Sequence, residues 1–294
     1  MSSTANSTAE DAGRTPGEIE FPSLDGTLLR GRYWARPRPR GVLIISHGLG
    51  EHGGSYRRTA EYLTRALEID ILTFDYRGSG RSSGKRGYVR SYEEFSKDLE
   101  ASCLRVSAER PGLPKFLLGH SNGGVVVLRT LLDRDLGLSG VIVSNPSLRL
   151  LARVPVWKRL AAELLRRFAP TITLTTGLTN DQLTRDPEIV AEIEADALRH
   201  DRISPPLYFG MKAAGPVILA RAGAFRTPIL MIVGGADPIA DPKGCRLFFD
   251  SLGVMDKTLR VYPSMRHEPL NEVGRESVLS DLATWLEPRL IPRA

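Results

Sequence analysis

Five short apolar runs, each set off by a helical pattern, constrain this chain more than any other feature. They are "GVLIIS", "IDILTFD", "KFLLGH", "SGVIVS" and "PILMIVGG". All are strand-length, and none shows the polar alternation of a half-exposed strand, so each must be covered on both faces. Helical patterns near 56–67, 93–109, 122–135, 244–251 and 272–286 supply the cover. The expected class is therefore α/β, with a mostly parallel central sheet and helices on both faces. Upstream, "EIEFPSLDGTLLRGRYW" reads as two strands joined at Asp25-Gly26, a hairpin signal. Near the C-terminus, "KTLRVYP" adds one more strand.

The alternation fails once. Residues 147–215 carry helical patterns but no strand-like run, and strands resume directly afterwards. The expected organisation is a disordered tail over 1–16, a core formed by 17–146 and 216–294, and an inserted helical cap over 147–215. Such an insertion stands beyond the carboxyl ends of the strands, where open α/β sheets bind their ligands. Within it, Trp157, Leu160, Ala161, Leu164, Leu165 and Phe168 recur at helical spacing. That stripe either packs on the core or faces outward, where it could meet lipid.

The tail "MSSTANSTAEDAGRTPGE" is polar and lacks the apolar centre of a signal peptide, so a cytoplasmic protein is expected. Cys103 and Cys245 lie in separate predicted helices and are expected to be free thiols. The net charge of +6 is uneven. Arg149, Arg153, Lys158, Arg159, Arg166 and Arg167 face only Glu163, and Arg77, Arg81, Lys85, Arg86 and Arg90 face no acid at all. Such patches attract anions, but no binding motif or interleaved aromatics accompany them, so no nucleic acid partner is expected. The plain reading is a solvated surface.

The pattern G-x-S-x-G occurs twice, at "GHSNG" and at "GRSSG". Only Ser121 directly follows a buried strand and opens a helix, the strand–turn–helix in which a serine nucleophile is presented. Ser82, several residues past its strand, reads as a flexible turn. A serine hydroxyl needs a base, and in this architecture the order along the chain is nucleophile, acid, histidine. Of the histidines after Ser121, His200 falls inside the insertion, whereas His267 follows the last strand. His267 is the candidate base. His120 is expected to pack beside the nucleophile and His52 to support a loop. Asp237 comes immediately after a strand and a Gly-Gly turn and is the candidate acid; Asp241 is better placed to cap the next helix. The oxyanion donors are expected to be the backbone N–H groups of Asn122 and, in "SHGLGEH", of Leu49. No cluster has metal spacing, and no cofactor and no metal are expected.

Taken together, "SHGLGEH", "DYRGSGRSSGKRGY", "GHSNGG", "GGADPIAD" and "RHEPLNE" resemble the monoglyceride lipase and lysophospholipase branch of the α/β-hydrolases, among the serine aminopeptidase S33-like hydrolases. The resemblance covers roughly residues 17–288, including "LTRDPEIVAEIEADAL" in the insertion. It implies hydrolysis of a single-chain lipid ester such as monoacylglycerol beneath a helical cap; transient membrane-surface contact through that cap is the expectation only if the 157–168 stripe faces outward. Ser121, Asp237 and His267 fall on its nucleophile, acid and base, and Leu49 and Asn122 on its oxyanion amides. Two departures stand out: Asn122 replaces the usual Met, adding a polar group at the pocket floor, and Ser55 precedes Tyr56 where Arg is frequent. The rival readings are a general carboxylesterase, a lysophospholipase and a serine aminopeptidase-like peptidase. A peptidase would need acids for the substrate amine, which Glu188, Glu192, Glu194 and Asp196 could supply. A non-catalytic binding relative is the remaining alternative.

Overall fold

The computed structural model describes residues 16–151 and 155–293. Apart from Pro16, the expected tail lies outside the described residues, as does Arg153. In chain order the first half comprises β1 (Gly17–Pro22), β2 (Leu28–Trp34), β3 (Val42–Ser46), α1 (Arg57–Leu67), β4 (Asp70–Asp75), α2 (Glu93–Glu109), β5 (Lys115–His120), α3 (Asn122–Leu131) and β6 (Gly140–Ser144). Then come α4 (Val156–Phe168), β7 (Leu174–Thr175), α5 (Asn180–Leu183), α6 (Pro187–Ala195), β8 (Arg202–Ile203) and α7 (Pro205–Ala220). The chain ends with β9 (Ile229–Gly234), α8 (Pro242–Ser251), β10 (Lys257–Tyr262) and α9 (Arg275–Leu286).

The central sheet runs β1-β2-β4-β3-β5-β6-β9-β10. Strand β2 is antiparallel to both neighbours, and the other pairings are parallel. Because side chains alternate across a strand, each apolar run feeds two cores. Val42, Ile44 and Leu117 pack with α2, α3, α7 and α8. Leu43, Ile45, Phe116 and Leu118 pack with α1 and α9. This division explains why β3, β4, β6 and β9 are buried at every position and β5 at every position but Lys115. Helix α3 stops at Leu131, short of the expected end, where the N–H groups of Asp133 and Arg134 both donate to Thr130 O at 3.1 and 2.9 Å and close a turn.

Between β6 and β9 the structure corrects one expectation: β7 and β8 form a small antiparallel pair. Two residues per strand are too few to register as a period. Helix α7 also runs through the expected 215/216 boundary and packs on α3. The segment from α5 to β8 is tied to the core by polar contacts. Arg275 Nη1 lies 2.6 Å from Asp186, Arg58 Nη2 lies 2.5 Å from Glu192, and the His200 N–H donates to Gly50 O at 3.0 Å. Helix α4 packs on α7, but among the described residues no such polar tie to the core holds it. Val156, Trp157, Leu160, Leu164 and Phe168 are 61–72% exposed, so its apolar stripe does not pack on the core.

Candidate active site

Ser121 stands between β5 and α3 with φ 51° and ψ −121°. Such a conformation is strained for an L residue and persists only where the surroundings enforce it. Here the enforcement is close packing. A Cβ on Gly119 would stand 2.8 Å from Gly124 Cα, and one on Gly123 would stand 2.4 Å from the Ser46 and His47 carbonyls. The serine is thereby lifted off the end of β5.

Its hydroxyl meets the other two candidates. Ser121 Oγ is 2.8 Å from His267 Nε2, and His267 Nδ1 is 2.7 Å from Asp237 Oδ2. All three side chains are buried. Asp237 Oδ1 accepts the N–H groups of Ile239 and Ala240 at 2.7 and 3.0 Å, which leaves Oδ2 for the histidine. Asp241 caps α8 by accepting from Lys243 N–H, as expected.

Asn145 holds the Asp237 and His267 loops together, and sequence reasoning missed it. Its Oδ1 accepts from Gly234 N–H at 2.7 Å, while Nδ2 donates to the carbonyls of Arg266 and His267 at 3.0 and 2.8 Å. Its one signal is an Asn directly after a strand, a residue type that tolerates the positive φ of 41° found here. Ser147, also missed, places its Oγ 3.1 Å from Ser121 Oγ.

The turn after β3 lies against Ser121: a Cβ on Gly48 would stand 3.2 Å from Ser121 Cβ. His47 Nε2 accepts from Tyr76 N–H at 3.0 Å, so Nδ1 carries the proton and donates to Gly48 O at 2.7 Å. Among the described residues, no hydrogen bond takes up the backbone N–H of Leu49 or of Asn122. The Asn122 side chain accepts from Tyr92 Oη at 2.7 Å, so its added polar group is already partnered.

Behind His267 lies a buried charged cluster that sequence reasoning also missed. Arg199 Nη2 is 2.9 Å from Glu268 and 3.8 Å from Glu51. Glu51 Oε2 accepts from Tyr56 Oη at 2.8 Å and from Gly48 N–H at 3.3 Å. The His120 ring packs 5.1 Å from that of His267, and its Nδ1 lies 3.1 Å from Ser144 O. Glu51, His120 and Glu268 bring three potential ligand atoms within 4.8 Å of one another, but Arg199 already supplies a cation there. Burial alone pushes the Glu51 carboxyl up; the opposing charges of His120, Arg199 and His47 and the Tyr56 hydrogen bond outweigh it and hold its pKa at about 2. Burial also disfavours the His267 imidazolium. The hydrogen bond and charge of Asp237, backed by Glu268 and Glu51, override this and raise its pKa. His120, dominated by burial, is shifted down.

Three other sequence readings change. Ser82 is no flexible turn: it is buried, accepts from Arg30 N–H at 2.8 Å and donates to Asp75 O at 2.5 Å. Arg77 of the basic run is buried too, bonded to Asp98 and Asp25 at 2.6 and 2.8 Å. Three of the four acids considered for a peptidase are engaged, Glu188 and Glu192 by Arg58 and Asp196 by His52 at 2.6 Å, while Glu194 meets only the Asn180 amide at 3.5 Å. The Asp196 contact gives His52 the loop-supporting place expected of it.

The family described as serine aminopeptidase, S33 matches residues 37–274. A monoacylglycerol lipase of Mycolicibacterium smegmatis is 31% identical over 94% of this chain and 99% of its own length. A monoglyceride lipase of Rattus norvegicus is 33% identical over 94% of each chain. The crystal structure of a monoacylglycerol lipase from Paleococcus ferrophilus superposes with a TM-score of 0.79 at 31% identity, covering 93% of this chain and 99% of that one.

Proposed function

The chain belongs to the serine aminopeptidase S33 family of hydrolases, and from that premise we propose that it cleaves monoacylglycerols to fatty acid and glycerol through an acyl-enzyme. The observation that carries this reading is the continuous relay Ser121–His267–Asp237, with contacts of 2.8 and 2.7 Å. In the proposed mechanism His267 Nε2 takes the Ser121 proton as Oγ attacks the ester carbonyl. The oxyanion of the tetrahedral intermediate is stabilised by the N–H groups of Leu49 and Asn122. His267 then returns the proton to the departing glycerol oxygen. Water repeats the sequence on the acyl-enzyme, and Asp237 orients the imidazole and stabilises its charged form throughout. This chemistry calls on no cofactor.

The described residues between β6 and α7 act in this reading as the lid of the acyl site. The outward apolar stripe of α4, flanked by Lys158, Arg159, Arg166 and Arg167, touches the lipid surface from which substrate is drawn. Among the described residues, no helix is long and apolar enough to cross a membrane, so such contact would be peripheral. The engagement of Glu188, Glu192 and Asp196 favours ester over aminopeptide substrates.

A fluorophosphonate probe tests the catalytic assignment, and a substrate panel tests the substrate. The wild type should be labelled at Ser121 and Ser121→Ala should not. Monoacylglycerols should be turned over faster than short p-nitrophenyl esters, and aminoacyl anilides should be left intact. Labelling that survives in Ser121→Ala, or preferred cleavage of anilides, would overturn the reading.

A further inference from the structure

Ser147 Oγ lies 3.1 Å from Ser121 Oγ, which also meets His267 Nε2 at 2.8 Å. The direction of this hydrogen bond follows from counting protons. Asp237 holds His267 in the tautomer with hydrogen on Nδ1, so Nε2 is an acceptor and the single Ser121 proton points to it. The 3.1 Å contact must then be Ser147 O–H donating to the nucleophile oxygen. Ser147 is buried, its backbone N–H donates to Ser121 O at 3.3 Å, and Asn145, two residues earlier, is pinned by three hydrogen bonds. The donor is thus held in place before any substrate arrives.

We propose that Ser147 is a further catalytic residue, which stabilises Ser121 Oγ as that oxygen leaves the acyl group. The inference rests on the acyl-enzyme reading above. A hydrogen bond accelerates a step only if it is stronger in the transition state than in the ground state. In the free enzyme Ser121 Oγ is a hydroxyl, already a fair acceptor, so its deprotonation during acylation strengthens the bond only moderately. In the acyl-enzyme the same atom is an ester oxygen, a poor acceptor. During deacylation, water gives its proton to His267 Nε2 and its oxygen bonds to the acyl carbon. The C–Oγ bond then breaks, its electron pair goes to Oγ, and His267 returns the proton to Oγ. The Ser147 proton stays on Ser147 throughout, and its bond to Oγ strengthens most in this step, as charge develops on the acceptor.

Acylation and deacylation can be timed separately with a p-nitrophenyl ester. The p-nitrophenol burst reports acylation, and the decay of the acyl-enzyme mass after substrate removal reports deacylation. Ser147→Ala should slow deacylation about tenfold, the effect of one charge-assisted bond, and acylation less than about threefold. Acyl-enzyme should accumulate accordingly, and Ser147→Thr, which keeps the hydroxyl, should restore the wild-type ratio. Equal slowing of both steps, or no slowing of either, in a Ser147→Ala protein with unchanged melting temperature would overturn the proposal. A wild type that fails to form an acyl-enzyme at all would instead overturn the functional reading itself.

Discussion

Arg199 Nη2 lies 2.9 Å from Glu268 Oε1, so an insertion residue neutralises the carboxylate next in sequence to the proposed catalytic base. The same guanidinium stands 3.8 Å from Glu51, which anchors the Gly48 N–H and the Tyr56 hydroxyl. The insertion is therefore fastened to the site by a buried charge. Removing one partner of such a pair strands the other in low dielectric. Arg199→Met, which keeps most of the volume, should destabilise the protein by on the order of 3 kcal/mol in urea unfolding. A loss below about 1 kcal/mol would mean that the two carboxylates regain water and that the fastening is weak.

The same carboxylates bear on the pH range of the proposed base. His267 must be neutral at Nε2 to accept a proton, yet Asp237, Glu268 and Glu51 raise its pKa against the effect of burial. The acid limb of kcat/KM should therefore fall above the ordinary histidine value of about 6.5. Glu268→Gln removes one of these charges while keeping an acceptor for Arg199, so the limb should move to lower pH. Stability changes in the opposite sense to activity. A group whose pKa is raised on folding contributes stability that is complete below its unfolded value and is lost as pH rises through its folded value. Activity thus appears over the window in which this contribution disappears. Profiles of kcat/KM and melting temperature, recorded together, check both; a limb that moves up in Glu268→Gln would sink the assignment.

The two serine motifs should separate cleanly under mutation. Ser121→Ala should abolish turnover without loss of stability, since a small residue at a strained turn contributes little packing. His267→Ala should cost about as much as the double variant, because the pair acts as one unit. Ser82→Ala should stay active but lose about 1–3 kcal/mol, as it strips the Arg30 N–H of its buried acceptor. If Ser82→Ala is the stable but inactive protein, the nucleophile has been misassigned.

The legible part of this molecule is the part set by local pattern. Leu43 and Ile44 read as a strand covered on both faces because neighbours in sequence point into different cores. That Ser121, Asp237 and His267 meet was legible because each follows a strand end, and strand ends in a parallel sheet converge on one edge. Arg199, Glu51 and Glu268 were not, since their charges meet only when the insertion folds back across β3 and the His267 loop. Ser82 was misread for a related reason: its partners Arg30 and Asp75 belong to other strands, and no spacing in "GRSSG" announces them. The exposure of α4 lay beyond periodicity too, because a helical stripe states which residues share a face but not what that face meets.

That face carries the last prediction. Trp157, Leu160, Leu164 and Phe168 stand 62–72% exposed on one helix, where burial against water-free surroundings would be worth about 1.5–3 kcal/mol for each large side chain. A soluble chain gains nothing from holding four such residues in water, whereas an enzyme for single-chain lipids gains access to substrate held in a bilayer. The flanking Lys158, Arg159, Arg166 and Arg167 would add attraction to anionic head groups, of about 1 kcal/mol each near the surface. The protein should therefore float with anionic vesicles at low salt and release as salt rises, because exposed charges are screened beyond about 10 Å at 0.1 M. Leu160→Ser with Leu164→Ser should cut flotation and slow hydrolysis of vesicle-borne monoacylglycerol by about tenfold, while a short soluble ester is cleaved at the wild-type rate. The double variant exchanges only exposed side chains, so its melting temperature should hold. Equal slowing on both substrates would place the stripe in the acyl pocket instead, and absence of flotation at low salt would remove the membrane from the account of this helix.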